Sequence, residues 1–391
     1  MPSISPCRRA TALFGALSLL AALGLGGCRG GGGSLGGDDA TPAPTDAHTG
    51  GGTDADGTGD AGADPGDGGA PAACDQAQPA FTCPSPDGVD FPLEGSGFQG
   101  TPADFASSHP EFKYRGDDLL TNEVGAVALA GRMARGRGLA TSAYASEWVG
   151  FFTWDGAGHF DTLGRSQTDA DGNFSLSLAT NPGFGAGNHD VFAVLEGDGS
   201  CERLGVFSWP RGTEVILTDI DGTLTLSDGE LLRQISDPSY DPQAFPDANT
   251  LMKTWRGKGY QIVYLTARPH DFRIPTDLWL RQHNFPVGPI ITADSLVFNE
   301  SARTYKSAAI GHLQNDLGYS VVVAYGNALS DVDAYADNGL PVERTFIIAE
   351  NAGAGGTQPV TDASWSAHLS TFVASFRDAS TPLGDAPFCQ P

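Results

Sequence analysis

The feature that most constrains the fold is an apolar run that ends in two acidic residues and a glycine. The run extends from Val215 to Thr218, and Asp219, Asp221 and Gly222 follow it. A short apolar run bounded by turn residues predicts a buried parallel strand, and open α/β sheets bind ligands at the carboxyl ends of such strands. Because side chains alternate along a strand, Asp219 and Asp221 are expected to face one crevice, while Gly222 allows a sharp turn.

Two carboxylates this close repel each other unless a cation lies between them or one of them carries a proton. The pair therefore indicates a Mg²⁺ site combined with acid–base chemistry. The alternative is an acidic turn after a strand that has no chemical role, since a short motif needs supporting context.

That context lies downstream, where polar residues that can handle phosphate follow further apolar runs in a fixed order. The threonine hydroxyl can donate to a phosphate oxygen, and the lysine adds positive charge. The elements are a strand near 260–266 ending in Thr266, a helix near 303–316 carrying Lys306, and a strand near 320–325 followed by Asn327, Asp331 and Asp333.

This order resembles the four motifs of the haloacid-dehalogenase-like phosphatases. Residues from about 210 to 355 look like the catalytic domain of lipins and are similar to the C-terminal module of the large phosphatidylinositol-transfer (retinal-degeneration) proteins. The resemblance implies a Mg²⁺-dependent phosphoric monoester hydrolase of the phosphatidate phosphatase type. It is carried by Asp219-Ile220-Asp221-Gly222-Thr223, by Tyr264 to Arg268, by Gly288-Pro289, and by Gly326-Asn327 through Asp331 to Tyr335.

Each role in that reaction has a candidate residue. Asp219 is expected to attack phosphorus and form an aspartyl-phosphate, and Asp221 to protonate the leaving alkoxide and then activate water. Thr266 and Lys306 complete the catalytic set. Gly222, Thr266 and Lys306 are expected to bind the phosphate. Mg²⁺ is expected to be bound by Asp219, by Asp331 and by the backbone carbonyl of Asp221. Asn327 and Asp333 are expected to contact these ligands without binding the metal directly.

The N-terminal residues 1–28 have the pattern of an export signal. Arg8 and Arg9 precede an apolar stretch from about residue 11 to 25, which is too short for a comfortable membrane span. The Leu-Gly-Gly-Cys sequence ending at Cys28 resembles a bacterial lipoprotein box, which implies acylation of Cys28 and attachment to the cell envelope, periplasmic or outer surface. A plain signal peptide cut nearby, or a retained anchor, is the alternative.

Residues 29–73 contain almost no large apolar side chain, and they are predicted to form a disordered Gly/Asp/Ala/Thr tether. An irregular cysteine-containing segment, residues 74–117, follows. Four cysteines remain after the signal region, and export favours two disulfides in one of three pairings. They are Cys74, Cys83, Cys201 and Cys389.

Residues 118–210 show short alternating runs separated by turn residues, which predicts a β-sandwich of six or seven strands, immunoglobulin-like in architecture. Its aromatic residues, including Trp148, Phe151 and Phe152, are expected to pack in cores instead of binding a ligand. Predicted strands include those near 124–129, 148–154, 174–178, 191–195 and 205–207.

Residues 211–391 alternate strands with helices, which predicts a Rossmannoid parallel sheet covered on both faces. The interval from Asp221 to Thr266 is expected to hold one helix and a loop, leaving little or no cap. The whole chain is thus multidomain, with both α and β structure. Expected strands lie near 214–219, 260–266, 288–292, 320–325 and 343–348, and helices near 246–258, 275–285, 303–316, 330–337 and 363–377.

The substrate is the least constrained prediction. An uncapped site suits phosphatidate or a related lipid phosphate, as the resemblance implies. However, the chain has 47 acidic against 22 basic residues and a formal charge of −25, which repels anionic surfaces and argues against nucleic acid as a partner. Two alternatives therefore remain: a phosphatase for a soluble phosphomonoester, and a non-catalytic module that binds phosphatidate or other phospholipids.

Overall fold

The computed structural model describes residues 91–122, 125–137, 140–154, 160–178, 184–237 and 239–383. The predicted signal peptide, the lipid-attachment site Cys28, the tether, and Cys74, Cys83 and Cys389 lie outside these residues. Cys201 is buried and takes part in a disulfide whose partner is also outside them. The pairing of the cysteines therefore stays a prediction.

The first half of the described chain is made almost entirely of β-strands. Its one short helix is α1 (Phe105–Ser108). The strands are β1 (Glu111–Phe112), β2 (Arg115–Gly116), β3 (Leu119–Thr121), β4 (Val127–Arg132), β5 (Ala134–Arg137), β6 (Ala140–Ala143), β7 (Trp148–Trp154), β8 (Phe160–Gln167), β9 (Asn173–Leu178), β10 (Gly187–Leu195) and β11 (Cys201–Ser208).

The strands of the first half form three sheets, and two of them enclose a common core. The three-stranded sheet β2-β4-β9 and the five-stranded sheet β3-β11-β10-β7-β8 share buried side chains that include Leu129, Phe151, Phe174 and Val206. The third sheet has the order β1-β5-β6, and β3 pairs with β11 in parallel. A face-to-face pair of sheets with a core between them was predicted, whereas an immunoglobulin-like strand arrangement stays a prediction.

The second half alternates strands and helices. Its strands are β12 (Glu214–Thr218), β13 (Gln261–Pro269), β14 (Ile290–Ala293), β15 (Ser320–Gly326), β16 (Thr345–Ile348) and β17 (Gln358–Val360). Its helices are α2 (Gly229–Ser236), α3 (Ala248–Gly257), α4 (Arg273–Gln282), α5 (Asn299–Gly311), α6 (Leu329–Asp337) and α7 (Ser366–His368). π-Helical turns continue α5 (His312–Asp316) and α7 (Leu369–Val373), and 3₁₀ turns cover His270–Phe272, Val342–Arg344, Ala349–Asn351 and Ala354–Gly356.

These strands form one six-stranded sheet in the order β14-β13-β12-β15-β16-β17, and every pair in it is parallel. All five residues of β12 are buried, because helices cover both faces of the sheet. One face packs on Trp255 of α3 and Trp279 of α4, and the other on Ile310 of α5 and Tyr335 of α6. Each such large apolar side chain contributes about 2–3 kcal/mol when it is fully buried.

Three details differ from the sequence-based expectation. Residues 118–210 hold nine described strands, β3 to β11, where six or seven were expected, since short strands such as β5 and β6 carry few large apolar side chains. The interval between Asp221 and Thr266 holds two helices, α2 and α3, where one helix and a loop were expected. Helix α2 is only eight residues long, which is shorter than the window over which helical periodicity can be recognised. Strand β17 was also not predicted, because its three residues include a proline that confines it to the edge of the sheet.

The β-strands of the first half pack against the parallel sheet of the second half through buried charges. Arg203 of β11 lies between Asp190 and Asp277, with N–O distances of 2.8 and 3.1 Å. Arg273 of α4 contacts Asp118 and also Glu202, the latter at 3.4 Å. We call Asp118, Glu202, Arg203, Arg273 and Asp277 the interface cluster.

Candidate functional site

The candidate site lies where the central strand of the parallel sheet ends. Asp219 directly follows β12, is buried, and donates its backbone N–H to the carbonyl of Tyr325 in β15 at 3.0 Å. One carboxylate oxygen, Oδ1, lies 2.9 Å from Lys306 Nζ, and Thr223 Oγ1 donates to the other at 3.4 Å. The neighbouring strand thus fixes the backbone at Asp219, while the side chain keeps only one strong partner.

Lys306 joins two acidic residues that are far apart in the sequence. It projects from α5, is buried, and its Nζ lies 2.6 Å from Asp331 Oδ1. Asp331 lies in the first turn of α6, and its Oδ2 accepts the backbone N–H groups of Asn327 and Ala328, just before that helix, both at 3.0 Å. The helix N-terminus and the lysine therefore hold the Asp331 carboxylate in a single orientation.

The ionisation of this group is strongly perturbed. Burial alone would lower the pKa of Lys306, but the adjacent Asp219 and Asp331 carboxylates outweigh it and raise that pKa. Burial raises the pKa of Asp219 to about 8, opposed by Lys306 and assisted by the charges of Asp331 and Asp221. One lysine therefore does not neutralise the negative charge that is concentrated here.

Asp221 is held by an arginine that was not singled out from the sequence. Arg268 Nη2 donates to Asp221 Oδ1 at 2.8 Å and Arg268 Nε to Asp221 Oδ2 at 2.9 Å, which makes a bidentate ion pair. Arg268 is fully buried, and its Nη1 donates to Gln234 and Thr276 at 3.2 and 3.0 Å. The sequence signal was its position two residues after Thr266 at the end of β13.

The predicted phosphate-binding threonine lies next to this ion pair. Thr266 is fully buried. Its hydroxyl donates to Asp221 Oδ2 at 3.3 Å and accepts the backbone N–H of Arg268 at 3.1 Å. In this structure the hydroxyl therefore serves Asp221, and it has to turn away from that carboxylate before it can donate to a phosphate.

The turn after β12 requires glycine. Gly222 has a φ of 71°, and a Cβ atom there would lie 2.1 Å from Asn327 Nδ2. Its N–H donates to Thr225 Oγ1 at 3.1 Å, so this amide is occupied within the turn. Asn327 accepts from Thr223 Oγ1 at 3.2 Å and donates to Asp228 at 3.2 Å, which links two loops at the sheet edge.

Most of the predicted site residues therefore lie together, and one does not. Asp333 is exposed on α6, where its charge acts on Arg303, and it has no described contact with Asp219 or Lys306. Asp228, which was not predicted, is exposed at the mouth of the site. It follows the Asp219 turn within ten residues, which was the available signal.

The oxygen atoms here have the chemistry that a hard divalent cation requires. Within the described ranges, no three His, Cys, Asp or Glu side chains converge as a metal site, so a cation would need main-chain oxygen as well. Lys306 lies between the Asp219 and Asp331 carboxylates and leaves their negative charge in excess. The donor set of Asp219, Asp331 and the Asp221 carbonyl consists of the oxygen ligands that Mg²⁺ takes in proteins.

Comparison with known proteins gives a class for this part of the chain. Residues 216–349 match the family model described as the LNS2 domain of PITM 1-3. The matched segment begins within the central strand β12 and contains Asp219, Lys306 and Asp331. The predicted similarity to the C-terminal module of the phosphatidylinositol-transfer proteins is confirmed over these residues.

Individual relatives agree. The chain is 29% identical over 267 residues to membrane-associated phosphatidylinositol transfer protein 3 of Mus musculus, covering 68% of this chain and 26% of that protein. It is 30% identical over 194 residues to protein retinal degeneration B of Drosophila melanogaster, covering 50% of this chain and 15% of that protein. The chain thus spans about a quarter or less of the length of these relatives.

Among solved structures, the HAD domain of the effector protein Lem4 from Legionella pneumophila is 12% identical, with a TM-score of 0.28. The match covers 41% of this chain and 93% of that one. A score this low supports no conclusion about the site. None of the helices in the described part of the chain has the length and apolar character that a bilayer span requires.

Proposed function

We propose that this protein is a Mg²⁺-dependent phosphatase of the lipin type, which hydrolyses a phosphomonoester through an aspartyl-phosphate. The observation that carries the proposal is the position of Lys306 Nζ, 2.9 Å from Asp219 and 2.6 Å from Asp331. A buried lysine between a strand-end carboxylate and one in the first turn of a helix forms a site for an anionic group that reacts with the former.

In this reaction the Asp219 carboxylate attacks phosphorus, the new O–P bond forms, and the ester O–P bond breaks. Asp221 has to take up a proton from solvent and leave Arg268 on one side before it can give that proton to the departing alkoxide; it then takes one from the water that hydrolyses the intermediate. Arg268 fixes the direction in which the Asp221 carboxyl group points. Lys306 stabilises negative charge on the phosphoryl oxygens, with Thr266 as a second donor.

Mg²⁺, held by Asp219, Asp331 and the Asp221 carbonyl, would supply further neutralisation of the phosphoryl charge. The exposed carboxylate of Asp228 lies at the entrance to the site. The local excess of acid is a reason to expect that an anionic substrate binds together with a cation instead of alone.

The substrate class that we favour is phosphatidate or a related lipid phosphate. Support comes from the match to the LNS2 domain and from the printed names of the relatives, which describe membrane-associated phosphatidylinositol transfer proteins. Only two helices, α2 and α3, separate Asp221 from Thr266, so no large domain inserted in this interval closes over the site. The predicted acylation at Cys28 would keep the enzyme at a membrane of the cell envelope.

A second candidate is a module that binds phosphatidate or other phospholipids without hydrolysing them. The observation that favours it is the bidentate Arg268–Asp221 pair, because it occupies both oxygens of the group that has to move a proton. Lys306 and a bound cation would still hold a phosphate in such a module.

The deciding experiment is a kinetic panel on the purified full chain with phosphatidate in mixed micelles, glycerol-3-phosphate and p-nitrophenyl phosphate. We expect Mg²⁺-dependent phosphate release that a chelator stops and that Asp219→Asn abolishes. A lipid enzyme should prefer phosphatidate in kcat/KM by more than about tenfold, or roughly 1.4 kcal/mol of transition-state stabilisation.

Each other result has a distinct meaning. Equal or faster turnover of the water-soluble esters would remove the lipid assignment and leave the phosphatase. If the protein hydrolyses none of the esters, but floats with phosphatidate-containing liposomes in Mg²⁺ while the phosphatidate stays intact, it is the binding module.

A further inference from the structure

Large apolar side chains on the surface of this protein are concentrated at one edge. Scattered exposed leucines are ordinary in folded proteins, whereas a group of them around one site indicates contact with something apolar. Seven large hydrophobic residues are exposed among those that the structure describes, and five of them follow carboxyl ends of the parallel strands. The five are Leu226, Leu232, Leu296, Phe298 and Leu329.

The topology places these five residues at the mouth of the candidate site. Leu226 lies in the turn after β12 and Leu232 on α2, which follows that turn. Leu296 and Phe298 lie between β14 and α5, and Leu329 begins α6 after β15. Because all six strands are parallel, their carboxyl ends lie along the same edge as Asp219. We call these five residues the apolar rim.

The two remaining exposed side chains lie elsewhere. Phe112 belongs to β1 in the first half of the chain, and Val342 precedes β16, at the amino edge of the parallel sheet. Among the described residues, exposed large apolar side chains are therefore concentrated at the carboxyl edge of the parallel sheet and not at its amino edge.

We propose that the apolar rim docks on the surface of a lipid bilayer and inserts its side chains between the headgroups. This inference rests on the proposed function and deepens it, because the docked face is the one at which Asp219 and Lys306 lie. The phosphate of a membrane lipid then enters the site while its acyl chains remain in the bilayer. The substrate class this favours is a lipid phosphomonoester that is not extracted from its membrane.

Two further observations favour a bilayer over another protein. Ninety residues precede the described part of the chain, and Cys28 carries the predicted lipid anchor. The predicted tether, residues 29–73, would have a root-mean-square span of about 35–40 Å as a flexible chain, which is enough to let this edge turn toward the membrane of attachment.

The charges around the rim indicate how it would bind. Asp228, Asp294 and Glu300 are exposed beside the rim residues, so attraction to anionic lipids is not its basis. Apolar insertion is then the driving contribution, which predicts contact with uncharged phosphatidylcholine. It also predicts that added salt does not weaken the contact, in contrast to a polybasic membrane site.

The test places a tryptophan at the rim and a matched one away from it. Phe298 and Phe112 are 58% and 51% exposed, so Phe298→Trp and Phe112→Trp are comparable changes. The full chain of each variant is bound to phosphatidylcholine vesicles whose acyl chains carry bromine, a quencher that acts at short range. Wild-type protein, with its six native tryptophans, provides the background.

We expect Phe298→Trp to gain fluorescence that brominated vesicles quench, and Phe112→Trp to gain fluorescence that they do not. Adding Asp219→Asn to the rim variant should leave the quenching unchanged, so this result does not depend on catalysis. Leu232→Gln with Leu329→Gln should reduce the quenching at least about twofold by lowering the apolar area inserted.

Equal quenching of both tryptophans would overturn the proposal, as would failure of the full chain to bind the vesicles. Shielding of the tryptophan at position 298 that depends on protein concentration without vesicles would also overturn it, because a second copy of the chain would then cover the rim. A phosphatase that turns over soluble esters without rim quenching would leave the proposed function standing and remove only the docking surface.

Discussion

The candidate site and the interface cluster both bury acidic and basic side chains, but they arrange them differently. In the interface cluster, Arg203 and Arg273 each lie between two acidic partners, and Asp118 also accepts the backbone N–H groups of Gly205 and Ile290. Its arginines thus join the β-strands of the first half to the parallel sheet of the second half.

At the candidate site, Lys306 is a single point charge between Asp219 and Asp331, and the acidic side chains outnumber their cations. Asp219 keeps one strong contact and one hydroxyl at 3.4 Å. The rigid guanidinium of arginine suits a cluster that joins two packed sheets, whereas the compact ammonium of lysine leaves room for a phosphate or a cation. We therefore expect the interface cluster to contribute to stability and the candidate site to activity. Removing one charge from each should show the two contributions separately.

The largest effect is expected from Lys306→Met at the site. Phosphatase activity should fall at least about a thousandfold, because the main positive charge facing the phosphoryl group is lost. The free energy of unfolding should also fall by about 3–5 kcal/mol, since two buried carboxylates lose their cation. Phosphate release and urea unfolding measure the two quantities, and activity within a factor of about ten of wild type would contradict the assigned role.

Arg273→Met should give the opposite balance at the interface. Breaking this buried pair should cost about 3–5 kcal/mol of stability, because Asp118 and Glu202 stay buried without their arginine. The kcat/KM for a soluble ester should stay within about twofold of wild type in protein that is still folded, as expected for sites without shared partners. Thermal unfolding and steady-state kinetics test this, and a large loss of kcat in folded protein would join the two clusters functionally.

The smallest effect concerns the pH dependence of stability. Burial raises the pKa of Glu202 from 4.5 to about 7, with Asp277 adding to the rise and Arg273 opposing it. Between these values the folded state keeps a proton that the unfolded state has lost, so this contribution is complete below pH 4.5 and is lost as pH rises through 7.

Glu202→Gln should remove that slope. The wild-type free energy of unfolding is expected to decrease by up to roughly 3 kcal/mol from pH 4.5 to 7 relative to the variant. Urea unfolding of both proteins across this range gives the difference directly. Parallel curves for the two proteins would mean that Glu202 titrates normally in the folded state.

The sequence was most informative where local pattern and topology coincide. A buried strand followed by two acidic residues predicted the centre of the parallel sheet, and parallel strand ends explain why Asp219 and Asp331 meet. The strands and most helices of the second half were predicted within a few residues. Similarity to the phosphatidylinositol-transfer proteins followed from the same residues.

The rest depends on contacts that pattern does not encode. The ion pair between Arg268 and Asp221 forms because two neighbouring strands end side by side. The hydrogen bond from the backbone N–H of Ile290 to Asp118 joins residues that are 172 positions apart in the sequence. Alternation predicts that a segment is a strand but not which strands share a sheet, so the three separate sheets of the first half could not be derived. Short elements such as α2 span too few residues for a periodic pattern to be recognised.

Residues beyond the family match pack against the parallel sheet and the turn that follows β12. The family match ends at residue 349, yet Trp365 is fully buried and its indole N–H donates to the carbonyl of Thr223 at 3.2 Å, beside Asp219. Phe372 and Phe376, further along, pack on Trp255. A protein trimmed to the homologous segment would therefore lose the support beneath the turn that follows β12. The segment recognised by similarity is thus shorter than the unit that has to fold cooperatively.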